Sequence, residues 1–128
     1  MFKKRFPKLS IAAGEEACGT RPNCVCSVCS SSNSHYVEAF DEMGPDPIAA
    51  LVEIVKTMPR TKVVTVESDY LHTEFRTRIG FVDDVEFLVA DGVTHVRSAS
   101  RIGYGDHGVN RDRINGIRER IHGGKQDK

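Results

Sequence analysis

The chain lacks both an excess of charge and a long apolar segment. Its 18 basic and 18 acidic residues give a formal net charge of 0, so the uniform positive field that binds nucleic acid non-specifically is absent. The apolar run at residues 9–13 is shorter than the roughly 7–15 residues of a secretory signal and the roughly 20 of a transmembrane helix. We therefore expect a cytoplasmic protein with no transmembrane segment and no nucleic-acid partner.

The composition is typical of a single globular domain. Of the 128 residues, 39% are hydrophobic and 28% are charged, values that suit one domain with a modest core. The local composition divides the chain into four parts. These are a basic flexible tail at 1–14, a cysteine-rich loop at 15–34, a single α+β domain at 35–122, and a C-terminal tail at 123–128.

Alternating apolar and polar residues predict four consecutive strands between positions 61 and 99. Asp91 and Gly92 form a strong hairpin signal, because both central residues of a type I′ turn need a positive φ. This turn places Glu86 opposite Arg97, an opposite-charge pair across two neighbouring strands. The sequence therefore predicts an antiparallel meander.

The connection between the second and third of these strands sets their register. A three-residue loop at 79–81 keeps apolar side chains together, since a one-residue slip moves every side chain to the other face. It predicts that Phe75 lies opposite Val85 and that Arg76 lies opposite Asp84.

The polar side of the meander collects seven ionisable residues. One hypothesis is a solvated face whose charges pair across strands, and the other is a surface that binds a charged ligand or partner. A catalytic role would use Glu74 or Glu86 as the acid or base. The polar sheet face comprises His72, Glu74, Arg76, Asp84, Glu86, His95 and Arg97.

Asp83 falls on the apolar side of its strand. A buried carboxylate needs a partner. We expect that partner to be a backbone N–H after Ser98 or an arginine such as Arg101.

Two helices are predicted, one before and one after the strands. Asp46 is a good N-cap and Pro47 suits the first helical position. Asn110 is expected to be the N-cap of the second helix, and Gly123 is expected to end it. Each helix has one apolar stripe, so we predict an α+β two-layer sandwich: a four-stranded antiparallel meander with both helices on one face.

All four cysteines lie in the loop at 15–34, with the spacing C-x5-C-x-C-x2-C. Cys18, Cys24, Cys26 and Cys29 could bind zinc or an iron–sulfur cluster as thiolates. Alternatively, Cys18–Cys24 or Cys26–Cys29 forms a disulfide or a redox-active pair. A third hypothesis is that the cysteines have no shared role.

A glycine-rich loop precedes the last helix. Its glycines at 103, 105 and 108 match G-x-G-x-x-G, but there is no βαβ unit, so a dinucleotide site is rejected. A helix N-terminus after such a loop can bind a small anion. The candidate anion site comprises Arg101, Tyr104, His107 and Asn110.

Several strings resemble DUF1499, a bacterial and plastid family of unknown function. They are CGTRPNCV (18–25), HYVEAF (35–40), FRTRIGFVDDVEFLV (75–89) and HVRSASRIGYGDHGVNRDRI (95–114). The resemblance covers about residues 18–121 and implies a fold and a set of motifs, without a mechanism. Cys26 and Cys29 depart from the family, in which serine or other small residues are usual at these positions.

Three functional hypotheses follow. The first is a non-enzymatic binding or accessory domain for an unknown protein or a small charged ligand. The second is a metal-binding or thiol-redox module built on the cysteines. The third, an enzyme using the polar sheet face, is the weakest, because Glu86 and Arg97 already satisfy each other and a flat sheet face is not a pocket.

Overall fold

The computed structural model describes residues 11–19, 21–41, 43–102 and 108–126. It is an α+β fold with a five-stranded antiparallel sheet in the order β1-β5-β4-β3-β2. A short 3-10 helix, Ile11–Glu16, precedes the first strand. The strands and helices are β1 Cys24–Cys26, α1 Pro47–Lys56, β2 Thr61–Val66, β3 Tyr70–Arg76, β4 Val82–Ala90, β5 Val93–Ser100 and α2 Val109–Gln126.

The sheet has one strand more than the four predicted. β1 lies inside the predicted loop and pairs with the outer edge of β5, with Cys26 opposite Arg97. Upstream of it, Ile11 is buried, within the predicted tail at 1–14. The ordered domain therefore begins well before residue 35. A three-residue strand is too short to show alternation, which is why the sequence did not reveal it.

Both helices contribute to one hydrophobic core with the apolar side of the sheet. The Asp46 side chain accepts a hydrogen bond from the Ala49 N–H at 3.2 Å, which confirms the predicted N-cap. Leu51 and Val55 of α1 are buried together with Phe87 of β4. On α2 the buried stripe is Ile114, Ile117 and Ile121.

The ends of α2 differ from the prediction. The helix begins at Val109, so Asn110 lies inside its first turn. It continues to Gln126, past Gly123 and into the predicted tail. No helix in the described ranges is long and apolar enough to cross a bilayer.

The β4–β5 hairpin has the predicted register. Asp91 and Gly92 have φ values of 56° and 83°, as a type I′ turn requires. Glu86 lies opposite Arg97, as expected. Local turn chemistry was sufficient here because the turn and both strands are contiguous in the sequence.

The β3–β4 register differs from the prediction by two residues. Phe75 lies opposite Asp83 rather than Val85. The connecting loop is longer than expected because Thr77 closes it: its N–H donates to the Phe81 carbonyl at 2.8 Å, and its hydroxyl accepts from the Phe81 N–H at 3.0 Å. A shift of two residues keeps every side chain on its predicted face.

Truncating α1 inside the core tests this packing. We expect Leu51→Ala to lower the free energy of unfolding by about 2–5 kcal/mol, because it leaves a cavity at a fully buried site. Val66→Ala on β2 is the control, since Val66 is 55% exposed and its truncation should cost at most about 0.5 kcal/mol. Urea unfolding measures both, and equal losses would contradict the assignment of Leu51 to the core.

Candidate functional site

The centre of the polar sheet face is buried. Arg97 Nη1 lies 3.3 Å from Glu86 Oε1, and these two side chains are 5% and 0% exposed. Tyr70 donates its hydroxyl hydrogen to Glu86 Oε2 at 2.7 Å. Burial lowers the pKa of Arg97, although the neighbouring Glu86 acts in the opposite direction. The hypothesis of a solvated face is therefore wrong for this pair.

The N-terminal segment forms the cover. The Arg97 Nε–H donates to the backbone carbonyl of Ala17 at 2.8 Å. Ala17 and the cysteines pack against Ala99 in a second small hydrophobic cluster. Ser27 Oγ lies 2.9 Å from His95 Nδ1. A ligand cannot reach the Glu86–Arg97 pair while this segment is in place.

A second group of polar-face residues forms an ion-pair cluster near the start of β4 and the end of β3. The register places Glu74 directly opposite Asp84, and two like charges in this position repel each other. Arg101 bridges them: its Nη2 lies 2.8 Å from Glu74 Oε2 and its Nε lies 2.8 Å from Asp84 Oδ2. His72 Nε2 lies 2.7 Å from Asp84 Oδ1.

This cluster resembles a metal site in its ligand types only. In the part of the chain that the structure describes, His72, Glu74 and Asp84 form the one group of three with ligand atoms within 4.8 Å of one another. Arg101 contacts both carboxylates, so its guanidinium already supplies the positive charge that a cation would bring. The arrangement is an ion-pair cluster in which Arg101 holds the two carboxylates together.

The ion pairs shift the pKa values of two of these groups. Burial disfavours the charged form of Asp84, but hydrogen bonds from His72 and Arg101 outweigh it and hold the pKa well below its usual range. The hydrogen bond to Asp84 raises the pKa of Arg101 further above its ordinary value.

On the opposite face, Asp83 is buried and meets an arginine of α2. Its Oδ2 lies 2.8 Å from Arg113 Nη2. The partner is therefore Arg113, and the expected Arg101 binds elsewhere. The contact is a close charge pair rather than an aligned hydrogen bond, since no donor among the described residues reaches Oδ2 with hydrogen-bond geometry.

Asn110 links this pair to β5 and to the loop before β1. Its Oδ1 accepts from Arg113 Nη1 at 2.9 Å and from Ser98 Oγ at 2.6 Å. Its Nδ2 donates to the Asn23 carbonyl and to Ser100 Oγ, each at 3.1 Å. Asn110 is thus a fully buried structural residue.

The predicted anion site is not assembled by the residues that the structure describes. Arg101 binds carboxylates on the polar face, whereas Asn110 is buried on the apolar side between Ser98 and Ser100. Tyr104 and His107 lie outside the described residues.

The four cysteines are neighbours, but they do not present four thiols. Cys18 and Cys24 form a disulfide. Cys26 and Cys29 are free, and their sulfur atoms lie 2.9 Å apart. A four-thiolate zinc or iron–sulfur site would require reduction of that disulfide, and the structure does not hold the cysteines in that state.

A cleft lies at one end of the sheet and was not predicted from the sequence. It has a volume of about 590 Å³ and lies between the end of α1, the end of β3 and the start of α2. Met58, Phe75 and Ile79 contribute apolar surface to it. The cleft is also lined by Arg60, Arg76, Arg78 and Arg113. In the sequence, the alternating strand pattern places only Arg76 and Arg78 together. Arg60 and Arg113 join them through tertiary packing.

A family match covers most of the chain. The sequence matches DUF1499, "Protein of unknown function", over residues 16–121. The chain belongs to the DUF1499 family. Comparisons with curated proteins and with solved structures found no match. In this DUF1499 protein, the characteristic acidic string on β4 supplies Asp83, Asp84 and Glu86, each of which contacts an arginine.

Neutralising Asp83 tests the buried pair on the apolar face. Asp83→Asn leaves the Arg113 cation without its counter-charge, and we expect a loss of about 3 kcal/mol in the free energy of unfolding. Asp112→Asn, an exposed carboxylate one residue from Arg113, is the control and should change stability by less than about 0.5 kcal/mol. Equal effects in chemical denaturation would show that Asp83 carries no special pairing.

The lowered pKa of Asp84 makes a pH-dependent prediction. Its ionised form contributes stability that is fully present above the unfolded pKa of about 3.9 and is lost as pH falls through the lower folded pKa. We expect the urea concentration at the unfolding midpoint of the wild type to decrease as the pH is lowered below about 4. Asp84→Asn should make this pH dependence weaker. Asp41→Asn, at an exposed position, is the control and should keep the wild-type profile. A D84N profile parallel to the wild type would contradict the assignment.

Proposed function

We propose that this DUF1499 protein is a ligand-binding module whose site is the cleft between α1, β3 and α2. Its ligand would be a small molecule with an apolar body and an anionic group. The observation that carries the proposal is the combination of apolar surface and several arginines in one concavity. A volume near 590 Å³ falls within the roughly 300–1,000 Å³ usual for small-molecule sites.

Arg113 pairs with Asp83, but the other cleft arginines have no close carboxylate partner among the described residues. Arg78 makes no ion pair with any residue in the described ranges. Arg76 reaches a carboxylate only at 4.0 Å, on Glu74. Among the described residues, Asp112 is the only carboxylate in the lining. Arg60, Arg76 and Arg78 are all exposed, so an anion could bind their guanidinium groups without displacing a buried partner.

The apolar part of the cleft supports a ligand with an apolar body. Phe75 packs beneath the Arg113 guanidinium, with the cation 5.1 Å from the ring centre. Ile79 is 76% exposed in the described structure, and burying it would favour binding through the hydrophobic effect. A simple inorganic anion would leave this surface in water.

The chemistry of the lining favours binding over catalysis. Arginine stays protonated at neutral pH, so it can attract and orient an anion but is a poor acid or base. Glu86 is engaged by Arg97, and Glu74 is held by Arg101 at 2.8 Å, closer than its 4.0 Å contact with Arg76. Ligand binding in the cleft, rather than on the polar sheet face, is therefore the function that these residues support best.

The experiment uses 8-anilinonaphthalene-1-sulfonate, a fluorescent probe with an aromatic body and a sulfonate. We expect saturable binding that weakens with salt. The double change Arg76→Gln with Arg78→Gln should weaken the probe's affinity about tenfold, which corresponds to about 1.4 kcal/mol. Arg120→Gln is the matched control, because Arg120 is exposed on α2 and donates to its own helix at Gly116.

Two outcomes would overturn the proposal. One is unchanged probe affinity in the double variant. The other is NMR shift changes on probe binding that avoid residues 75–79 and the start of α2. Neutral and anionic lipid vesicles provide a further arm: tighter binding to anionic vesicles than to the soluble probe would assign the arginines to a membrane surface instead.

A further inference from the structure

The two free cysteines are close neighbours but are not joined by a disulfide bond in the structure. Cys26 Sγ and Cys29 Sγ lie 2.9 Å apart, about 0.9 Å farther than a sulfur–sulfur bond. Cys26 is fully buried and Cys29 is 5% exposed. In the described residues no third cysteine, histidine or carboxylate joins them as a possible metal-ligand group. The pair therefore suits a disulfide better than a metal.

We propose that Cys26 and Cys29 form a second disulfide in this protein, with a low-molecular-weight disulfide such as oxidised glutathione as the oxidant. The inference is independent of the proposed cleft function, because the cysteines lie under the opposite face of the sheet, near Ala99 and Ala17. It assigns a covalent modification site to the two thiols that are free in the structure.

The disulfide forms in two thiol–disulfide exchange steps. One cysteine loses its proton and attacks a sulfur of the oxidant, which releases one small thiolate and leaves a mixed disulfide. The second cysteine then loses its proton and displaces the other small thiol. The two released thiolates take up the two protons. The protein gains one S–S bond, and the two electrons reduce the oxidant to two thiols.

Backbone hydrogen bonds fix the position of Cys26. Its N–H donates to the His35 carbonyl and its carbonyl accepts from the Val37 N–H, both at 3.0 Å. Cys26 also lies opposite Arg97 in the β1–β5 pairing. Cys29 Sγ donates to the Cys26 carbonyl at 3.4 Å. Closure of the bond thus needs only a small movement of Cys29, which lies at the end of a bend in the backbone.

Burial controls when the reaction occurs. Burial, together with the adjacent Cys26, raises the pKa of Cys29 to about 12, and the thiolate is the form that attacks a disulfide. Oxidation of the folded protein should therefore be slow. It should be fast while the segment is open, during folding or in denaturant. The same burial shields the finished bond from external thiols.

The test starts from fully reduced protein refolded with a mixture of oxidised and reduced glutathione. Thiols that remain are alkylated in denaturant and counted by mass spectrometry. We expect none of the four cysteines to be alkylated, and peptide mapping to recover Cys26 joined to Cys29. Reduction of this bond by glutathione should be on the order of tenfold or more slower in the native protein than in urea, because opening must precede attack.

Two alkylated cysteines, at positions 26 and 29, would overturn the proposal. So would a native bond that is reduced as fast as the denatured one. Cys29→Ser is the control for the assay and should leave one thiol, at Cys26. The paired change Cys18→Ala with Cys24→Ala should still give one disulfide. If it gives two free thiols although it is folded by circular dichroism, the Cys26–Cys29 bond does not form independently and the proposal fails.

Discussion

Three acidic side chains of β4 pair with three arginines from the C-terminal part of the chain, and the rest of the structure depends on these pairs. Asp83 faces the helices and meets Arg113. Asp84 and Glu86 face the other way and meet Arg101 and Arg97. Charges buried on both sides of one strand are costly unless each is paired. Pairing them fixes β5 and α2 on β4 and requires a cover over Glu86.

Sequence reasoning succeeded where the determining contacts are local. The Asp91-Gly92 turn fixed the β4–β5 register, and Asp46 fixed the start of α1. It failed on the β3–β4 register, where a Thr77 side chain closes a longer loop. The favourable Arg76–Asp84 pair expected from the shorter loop does not form, and Arg101 neutralises Asp84 from outside the strands.

The candidate site was less predictable than the fold, because its parts come from distant segments. The carbonyl that covers Arg97 belongs to Ala17, 80 residues away in the sequence. No periodicity could indicate that a cysteine-rich segment would lie over a polar sheet face. The cleft arginines are likewise spread from Arg60 to Arg113. Glu86, Arg97 and Asn110, which looked functional in the sequence, are therefore buried in contacts within the fold, whereas Arg76 lines the cleft at the end of the sheet.

Hydrogen exchange of the Arg97 side chain tests this division most directly. In the folded protein the Arg97 Nε–H donates to Ala17 in a buried site, whereas Arg78 is exposed. Side-chain NMR can follow exchange of both Nε–H protons with solvent. We expect a strongly protected Arg97 proton and an Arg78 proton that exchanges at the rate of a free arginine. If the Arg97 and Arg78 protons exchange equally fast, the polar face is open to solvent. The Glu86–Arg97 pair would then be a candidate binding site again.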